Sequence, residues 1–150
     1  MSTHRAWISW QADTGFADNA YSRRHLWRFD GGAEVVGSSS PDVVPVPRSD
    51  PAGVDPEEAL VASAASCHML WFLDLARQAG LVVDSYEDDA VAEMGRVGPG
   101  KVAITKITLR PRIAFAGTAP DAAALDRLHH EAHERCFIAN SLNCPIVVEA

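Results

Sequence analysis

The stretch Asp55-Pro-Glu-Glu-Ala-Leu-Val-Ala-Ser-Ala-Ala-Ser-Cys67-His-Met-Leu-Trp-Phe-Leu73 decides how the chain is read. Asp55 offers a capping carboxylate, Pro56 suits the first helical position, and Glu57 and Glu58 place negative charge at the positive helix end. Glu58 stands where a capping box returns a bond to the Asp55 N–H. The helix is predicted to run to Ala79, with Gly80 as its stop. From Ala59 to Ala76 nearly every direction around the axis is apolar, so this helix needs cover on all sides.

Before it, Trp7 to Gln11 alternates as a strand with one buried face, and His25–Phe29 and Glu34–Gly37 read as a hairpin around Asp30-Gly31-Gly32. Residues 38–55 hold Pro41, Pro45, Pro47 and Pro51 and read as a loop without regular structure. After it, two long strands are predicted, Val82 to about Val97 and Lys101 to Phe115, joined at Gly98-Pro99-Gly100, with an irregularity near Lys106. A second helix opens at Pro120-Asp121 and ends around Asn140, and Ile146 to Glu149 closes the chain as a short strand. The fold class is α+β in the order β-β-β-α-β-β-α-β, in a single domain of residues 1–150. One small sheet covers one face of the apolar helix, so a second copy of the chain is expected to cover the rest, as a homodimer.

Bulk properties narrow the function. The chain has 150 residues, 47% hydrophobic and 22% charged, an ordinary globular composition. A net charge of −7 argues against a nucleic-acid partner, whose phosphates need a basic face. The N-terminus lacks the apolar core of a signal peptide, and Asp74 interrupts the longest apolar run short of the ~20 residues a bilayer crossing needs. Three cysteines are too few for a disulfide framework, so a reducing cytoplasm is the expected location and no membrane partner is expected.

Three groups of residues carry chemistry. Cys67 and Cys136 could be a redox pair, or simply two small core residues, where free cysteine commonly goes. Cys67 lies about ten residues into the helix, ~15 Å from its positive end, too far for the helix to ionise it. A neighbouring arginine would have to do so. Arg23 and Arg24 are the candidates, and an arginine fork needs a carboxylate to orient it. Glu57 is ~80° from Cys67 around the helix and Glu58 ~180°, which favours Glu57, though only an arginine bridge or a dimer axis can span the rise between them. Alternatively these charges are solvated surface. The third group is His129, His133 and Cys136 on one helical face. With Cys67 or His68 as a fourth ligand it could make the protein a non-enzymatic metal- or ligand-binding module.

At these residues the chain resembles the osmotically inducible protein C and organic hydroperoxide resistance (OsmC/Ohr) family. The resemblance rests on residues 55–68, with their Asp-Pro-Glu and Cys-His, and on His133-Glu-Arg-Cys-Phe-Ile-Ala-Asn-Ser141 followed by Cys144-Pro145. With the matching element order it extends over nearly the whole chain. It implies an intertwined homodimer whose sheets wrap paired central helices, acting as a thiol peroxidase in oxidative-stress defence, with no cofactor. On that resemblance Cys67 is the peroxidatic cysteine, Cys136 the resolving one, Glu57 the family's glutamate, and Arg23, with Arg24 the alternative, the family's arginine. The Tyr21-Ser-Arg-Arg-His25 segment departs from the Gly-Gly-Arg loop of the Ohr branch, so the chain looks like a separate OsmC-like branch. The implied substrate is an organic hydroperoxide, entering past Trp71, Phe72 and the 38–55 loop. The implied reductant is a small dithiol or lipoyl group. Cys144 lies outside the pattern and is expected to be structural.

Overall fold

The helix expected after Asp55 forms over Pro56–Gln78 (α1) in the computed structural model, which describes all 150 residues. The Glu58 N–H donates to Asp55 Oδ1 at 2.7 Å, and the Asp55 N–H donates to Glu58 Oε2 at 3.1 Å. That is the predicted reciprocal box, which satisfies two N–H groups the helix leaves unpaired. At the other end Leu81 N–H reaches Ala76 O and Gly80 N–H reaches Arg77 O, both at 3.0 Å, with Gly80 at φ +77°. This pair of bonds is a Schellman cap, and its left-handed residue is the reason for glycine there.

Residues 1–59 form one compact unit. Its sheet is an antiparallel meander of Ala6–Ser9 (β1), His25–Phe29 (β2) and Glu34–Gly37 (β3), with Ile8 opposite Trp27 and Trp27 opposite Val35. Gly37 is required by close approach: a Cβ there would sit 2.4 Å from Trp27 Nε1 and 2.5 Å from His25 Nε2. The 38–55 segment has no helix or strand, as its prolines predict. It is closed at its base by Ser38 N–H to Val54 O and Val54 N–H to Val36 O, and inside by Asp50 N–H to Ser38 Oγ. One expectation fails here. All four β1 residues are exposed, Ile8 by 61%, so the strand has no buried face within this chain.

Residues 60–150 form the second unit. Each predicted long strand breaks in two, giving Val82–Asp88 (β4), Val91–Gly98 (β5), Lys101–Leu109 (β6) and Pro111–Ala116 (β7). The breaks face each other: Asp88 Oδ1 accepts the Arg110 N–H at 2.7 Å, and Pro111 has no N–H with which to continue β6. Accordingly β4 pairs with β7, while β5 pairs with β6, and Ile146–Val148 (β8) joins β6 in parallel. The irregularity predicted near Lys106 is a bulge, where Glu93 opposes Lys106 but Met94 opposes Ile104.

The second helix, Ala122–Arg135 (α2), is capped by Asp121, which accepts the Ala124 N–H at 2.7 Å. It ends sooner than predicted. Cys136 takes an extended conformation (φ −67°, ψ 112°), and a short 3-10 turn, Ala139–Ser141, follows. Asn140 Nδ2 donates to Glu134 O, and Ser141 Oγ to Phe137 O, so side chains take over the last carbonyls.

Two apolar clusters fill this unit. One joins Phe72, Leu75 and Ala76 of α1 to Leu128 and Ala132 of α2 beneath Val83, Tyr86, Ile113 and Phe115. The other sets Ala64 against Ile107 and Leu109 of β6, with Ile138, Leu142, Cys144 and Ile146 around them. Cys144 is therefore a packing residue. The buried stripe of α1 is Ala64, His68, Phe72, Leu75 and Ala76, one face of the helix. The opposite stripe, Ala62, Ser66 and Leu70, is exposed. By length and composition alone α1 passes for a membrane-spanning helix, contrary to the sequence count that stopped at Asp74, but its buried stripe packs into the two cores.

Candidate active site

Cys67 and Cys136 come together where α1 meets the end of α2. Cys67 is half-buried and Cys136 fully buried, both as free thiols, and the Cys67 thiol is near enough to act on the ionisation of its neighbour. Burial pushes Cys136 up to about 11; the Ala139 N–H that donates to its sulfur at 3.4 Å opposes this, and the neighbouring Cys67 thiol adds a further upward push. At neutral pH Cys136 is a protonated thiol. The shortness of α2 matters for this: a helix continuing to Asn140 would have kept that N–H for itself.

Cys67 opens onto a cavity of about 300 Å³ lined with Leu70, Trp71, Asp74 and Phe137. The Trp71 and Phe137 rings meet edge to face at 5.6 Å, and the Arg135 guanidinium lies 5.7 Å from the Trp71 ring centre. Asp74 is held by Arg77 at 2.9 Å and Gln78 at 2.7 Å, and the Arg77 bond holds its carboxyl below the usual range. Trp71 thus lines the thiol's opening as predicted. Phe72 does not: it is fully buried, stacked against His129 and tilted against Tyr86, because one residue further along α1 turns a side chain by ~100°. Leu70 and Phe137 take the place expected of it. Sequence reasoning missed Phe137, although it directly follows Cys136.

The charged residues are arranged differently from the expectation. Arg23 Nη1 donates to Tyr21 O at 2.6 Å and Nη2 to Asn19 Oδ1 at 2.5 Å, while its Cζ lies 3.5 Å from the Tyr21 ring centre. Arg24 pairs with Asp50 at 3.3 Å. Neither arginine pairs with Glu57, which is half-buried, and Glu58 serves the cap. The expected arginine–Glu57 pair is therefore not made within this chain, since nearer acceptors occupy both forks. Asn19 could have been suspected only as a residue that tolerates a left-handed backbone, which it adopts at φ +58°.

The rival metal set does not assemble. His129 turns inward to His68, their Nδ1 and Nε2 being 3.0 Å apart, and Cys136 leaves the helix as its cap. No three His, Cys, Asp or Glu side chains converge with the spacing of metal ligands.

Comparison with known proteins agrees with this layout. The family model described as OsmC-like protein matches residues 49–150. Peroxiredoxin OsmC of Escherichia coli is 29% identical over 97 residues, which cover 65% of this chain and 66% of that protein, just under two thirds of its length. An OsmC-like protein of unknown function from Vibrio cholerae superposes with a TM-score of 0.96 at 49% identity, over 99% of both chains. The organic hydroperoxide resistance protein OhrB of Bacillus subtilis, 17% identical, shares the fold with a TM-score of 0.71 over 99% of this chain and 97% of its own. With its capped helix, its paired thiols and a family match over more than half of its length, the chain belongs to the OsmC-like protein family.

Proposed function

We propose that the protein is a thiol-dependent peroxidase that reduces organic hydroperoxides to alcohols, in defence against oxidative stress. The observation that carries this reading is the meeting of Cys67 and Cys136, far apart in sequence, at the mouth of an apolar cavity. The names of the relatives agree with it, one a peroxiredoxin and another an organic hydroperoxide resistance protein.

On this reading the Cys67 thiolate attacks the distal oxygen of the hydroperoxide. A sulfur–oxygen bond forms, the O–O bond breaks, and the alkoxide leaves and takes a proton to become the alcohol. Cys67 is then a sulfenic acid. Cys136 gives up its proton and attacks that sulfur, expelling hydroxide that ends as water and closing a disulfide. A small dithiol or lipoyl group supplies the two electrons that restore both thiols. Leu70, Trp71 and Phe137 offer the organic part of the substrate an apolar surface, which favours it over hydrogen peroxide.

Arg23, or Arg24 if it leaves Asp50, is proposed to stabilise the thiolate, and Glu57 to orient the guanidinium. Glu57 stands ~15 Å along α1 from the Cys67 of the same chain, so the two are proposed to act across a homodimer in which one copy's Glu57 serves the other's Cys67. The exposed Ala62–Ser66–Leu70 stripe and the bare β1 support that assembly. A reducing compartment such as the cytoplasm suits three free thiols.

Consumption of cumene hydroperoxide in the presence of dithiothreitol tests the reading. Cys67→Ser should reduce turnover by at least about a thousandfold, the loss expected on removing a nucleophile. Cys136→Ser should accumulate Cys67 sulfenic acid and then higher oxides, seen as added oxygen in the intact mass. Unchanged turnover in Cys67→Ser rules the mechanism out.

A further inference from the structure

Beside the two thiols lies a pair of imidazoles that the mechanism above leaves unused. His68 follows Cys67 on α1, and His129 sits on the helix that ends at Cys136. His68 Nε2 and His129 Nδ1 are 3.0 Å apart, and the rings stack at 5.4 Å with 8° between their planes. His129 also stacks on Phe72 at 4.5 Å. The residues are 1% and 4% exposed, and neither His68 Nδ1 nor His129 Nε2 has a hydrogen-bond partner in the protein.

A bond between two imidazole nitrogens needs one N–H and one lone pair, which two neutral rings provide. The groups acting on the pair decide what an added proton would meet. His68 feels His129 and His133, both bases, and His129 feels Asp126, an exposed carboxylate on the outer side of α2. From β4, across Phe72, comes Tyr86, kept protonated and neutral by burial. No buried carboxylate faces either ring. Burial, reinforced by His129 and His133, lowers His68 to about 4, and burial lowers His129 as well.

We propose that His68 and His129 form an acid-sensitive clamp between α1 and α2, positioning residues that hold Cys67 against Cys136 while both rings are neutral and loosen that register when the pair takes up a proton. The inference rests on the thiol-peroxidase reading, because the step it controls is disulfide closure. Cleavage of the O–O bond uses the sulfur of Cys67 and not that of Cys136. Attack by Cys136 on the sulfenic sulfur, with loss of hydroxide, needs both helices in register. In acid the enzyme therefore stalls as the sulfenic acid, which a second hydroperoxide converts to sulfinic acid with release of another alcohol. The sign follows from the lowered values. The neutral rings favour the folded contact above the ordinary histidine range near ~6.5, and that contribution is lost as the pH falls toward 4.

The test uses the full chain, oxidised with one equivalent of cumene hydroperoxide in the presence of dimedone at about pH 7.5 and about pH 3.5, either side of the value near 4 to which His68 is lowered. Peptide mass analysis gives the ratio of Cys67–Cys136 disulfide to dimedone adduct on Cys67. The comparison variant is His68→Gln with His129→Asn, whose amide N–H and carbonyl oxygen replace the paired ring nitrogens without titrating. The disulfide-to-adduct ratio should fall about tenfold further in the parent protein than in this variant. Equal pH dependence in the two overturns the clamp and leaves the peroxidase reading standing. Absence of both products at either pH overturns the peroxidase reading and the clamp with it. Should the variant fail to fold, imidazole nitrogen shifts of the parent protein decide. Rings neutral to below about pH 5 whose titration moves the Cys67 and Cys136 signals support the clamp, whereas titration near ~6.5 that leaves those signals still overturns it.

Discussion

Cys136 has two properties that pull against each other. On the proposed mechanism it must ionise to attack a sulfenic sulfur, yet its burial, with a lesser push from the neighbouring thiol, raises it to about 11. A thiol so raised stays protonated at neutral pH; on the proposed mechanism, conversion of Cys67 to the sulfenic acid removes the lesser contribution of the second thiol and leaves that of burial. In the reduced protein, iodoacetamide at about pH 8 should modify Cys67 and leave Cys136 unmodified, as read by peptide mass, because the thiolate is the reacting species. Equal labelling of both residues in the folded protein would contradict the burial argument. The linkage has its own sign: a thiol raised in the fold favours the folded state below the ordinary thiol value and loses that contribution as the pH rises toward 11.

At the scale of the element, the Asp55 and Glu58 cap and the Gly80 stop fix where α1 begins and ends, and hence how far along it Cys67 lies. Asp55→Ala removes one half of the box and should cost about 1 kcal/mol, measured as a lowered midpoint in urea with unchanged slope. Gly37→Ala should cost more, about 1–3 kcal/mol, since the new methyl would collide with Trp27 Nε1 and His25 Nε2. That collision also disturbs the bond of 2.7 Å from Trp27 Nε1 to His25 Nε2, whose ring Nδ1 is bound to the Arg23 carbonyl at 2.8 Å. A mild urea shift for Gly37→Ala, with those bonds intact by NMR, would show that the hairpin yields more readily than the packing implies.

For the whole molecule, the exposed stripe of α1 is the decisive surface. Leu70 is 61% exposed and borders the cavity at Cys67, so the proposed dimer and the proposed site share it. Leu70→Lys should convert the dimer to monomer in light scattering, because a charge in an apolar interface is costly, and the monomer should lose peroxide turnover. A variant that remains a full dimer would remove Leu70 from the interface.

Local signals in the sequence were sufficient for α1, for the β2–β3 hairpin with its glycine turn, for the proline-spaced loop and for the Asp121 cap. In each case the deciding residues act on neighbours within a few positions. Both cysteines were legible for the same kind of reason, each embedded in a distinctive local segment. Other features depend on residues distant in sequence. The opposed breaks at Asp88 and Arg110 arise from a bond across the sheet, and α2 ends early because Cys136 turns into the core. Phe72 is buried while Trp71 lines the cavity because helix phase, not hydrophobicity, sets which ring faces out. The stacking of His68 on His129 belongs to the same class, whereas Arg23 is taken by Asn19 and Tyr21, neighbours within four positions. The linear chain determined where its helices start and its turns fall, through short-range sterics and hydrogen bonding; which side chains met across the core was decided only when packing brought remote segments together.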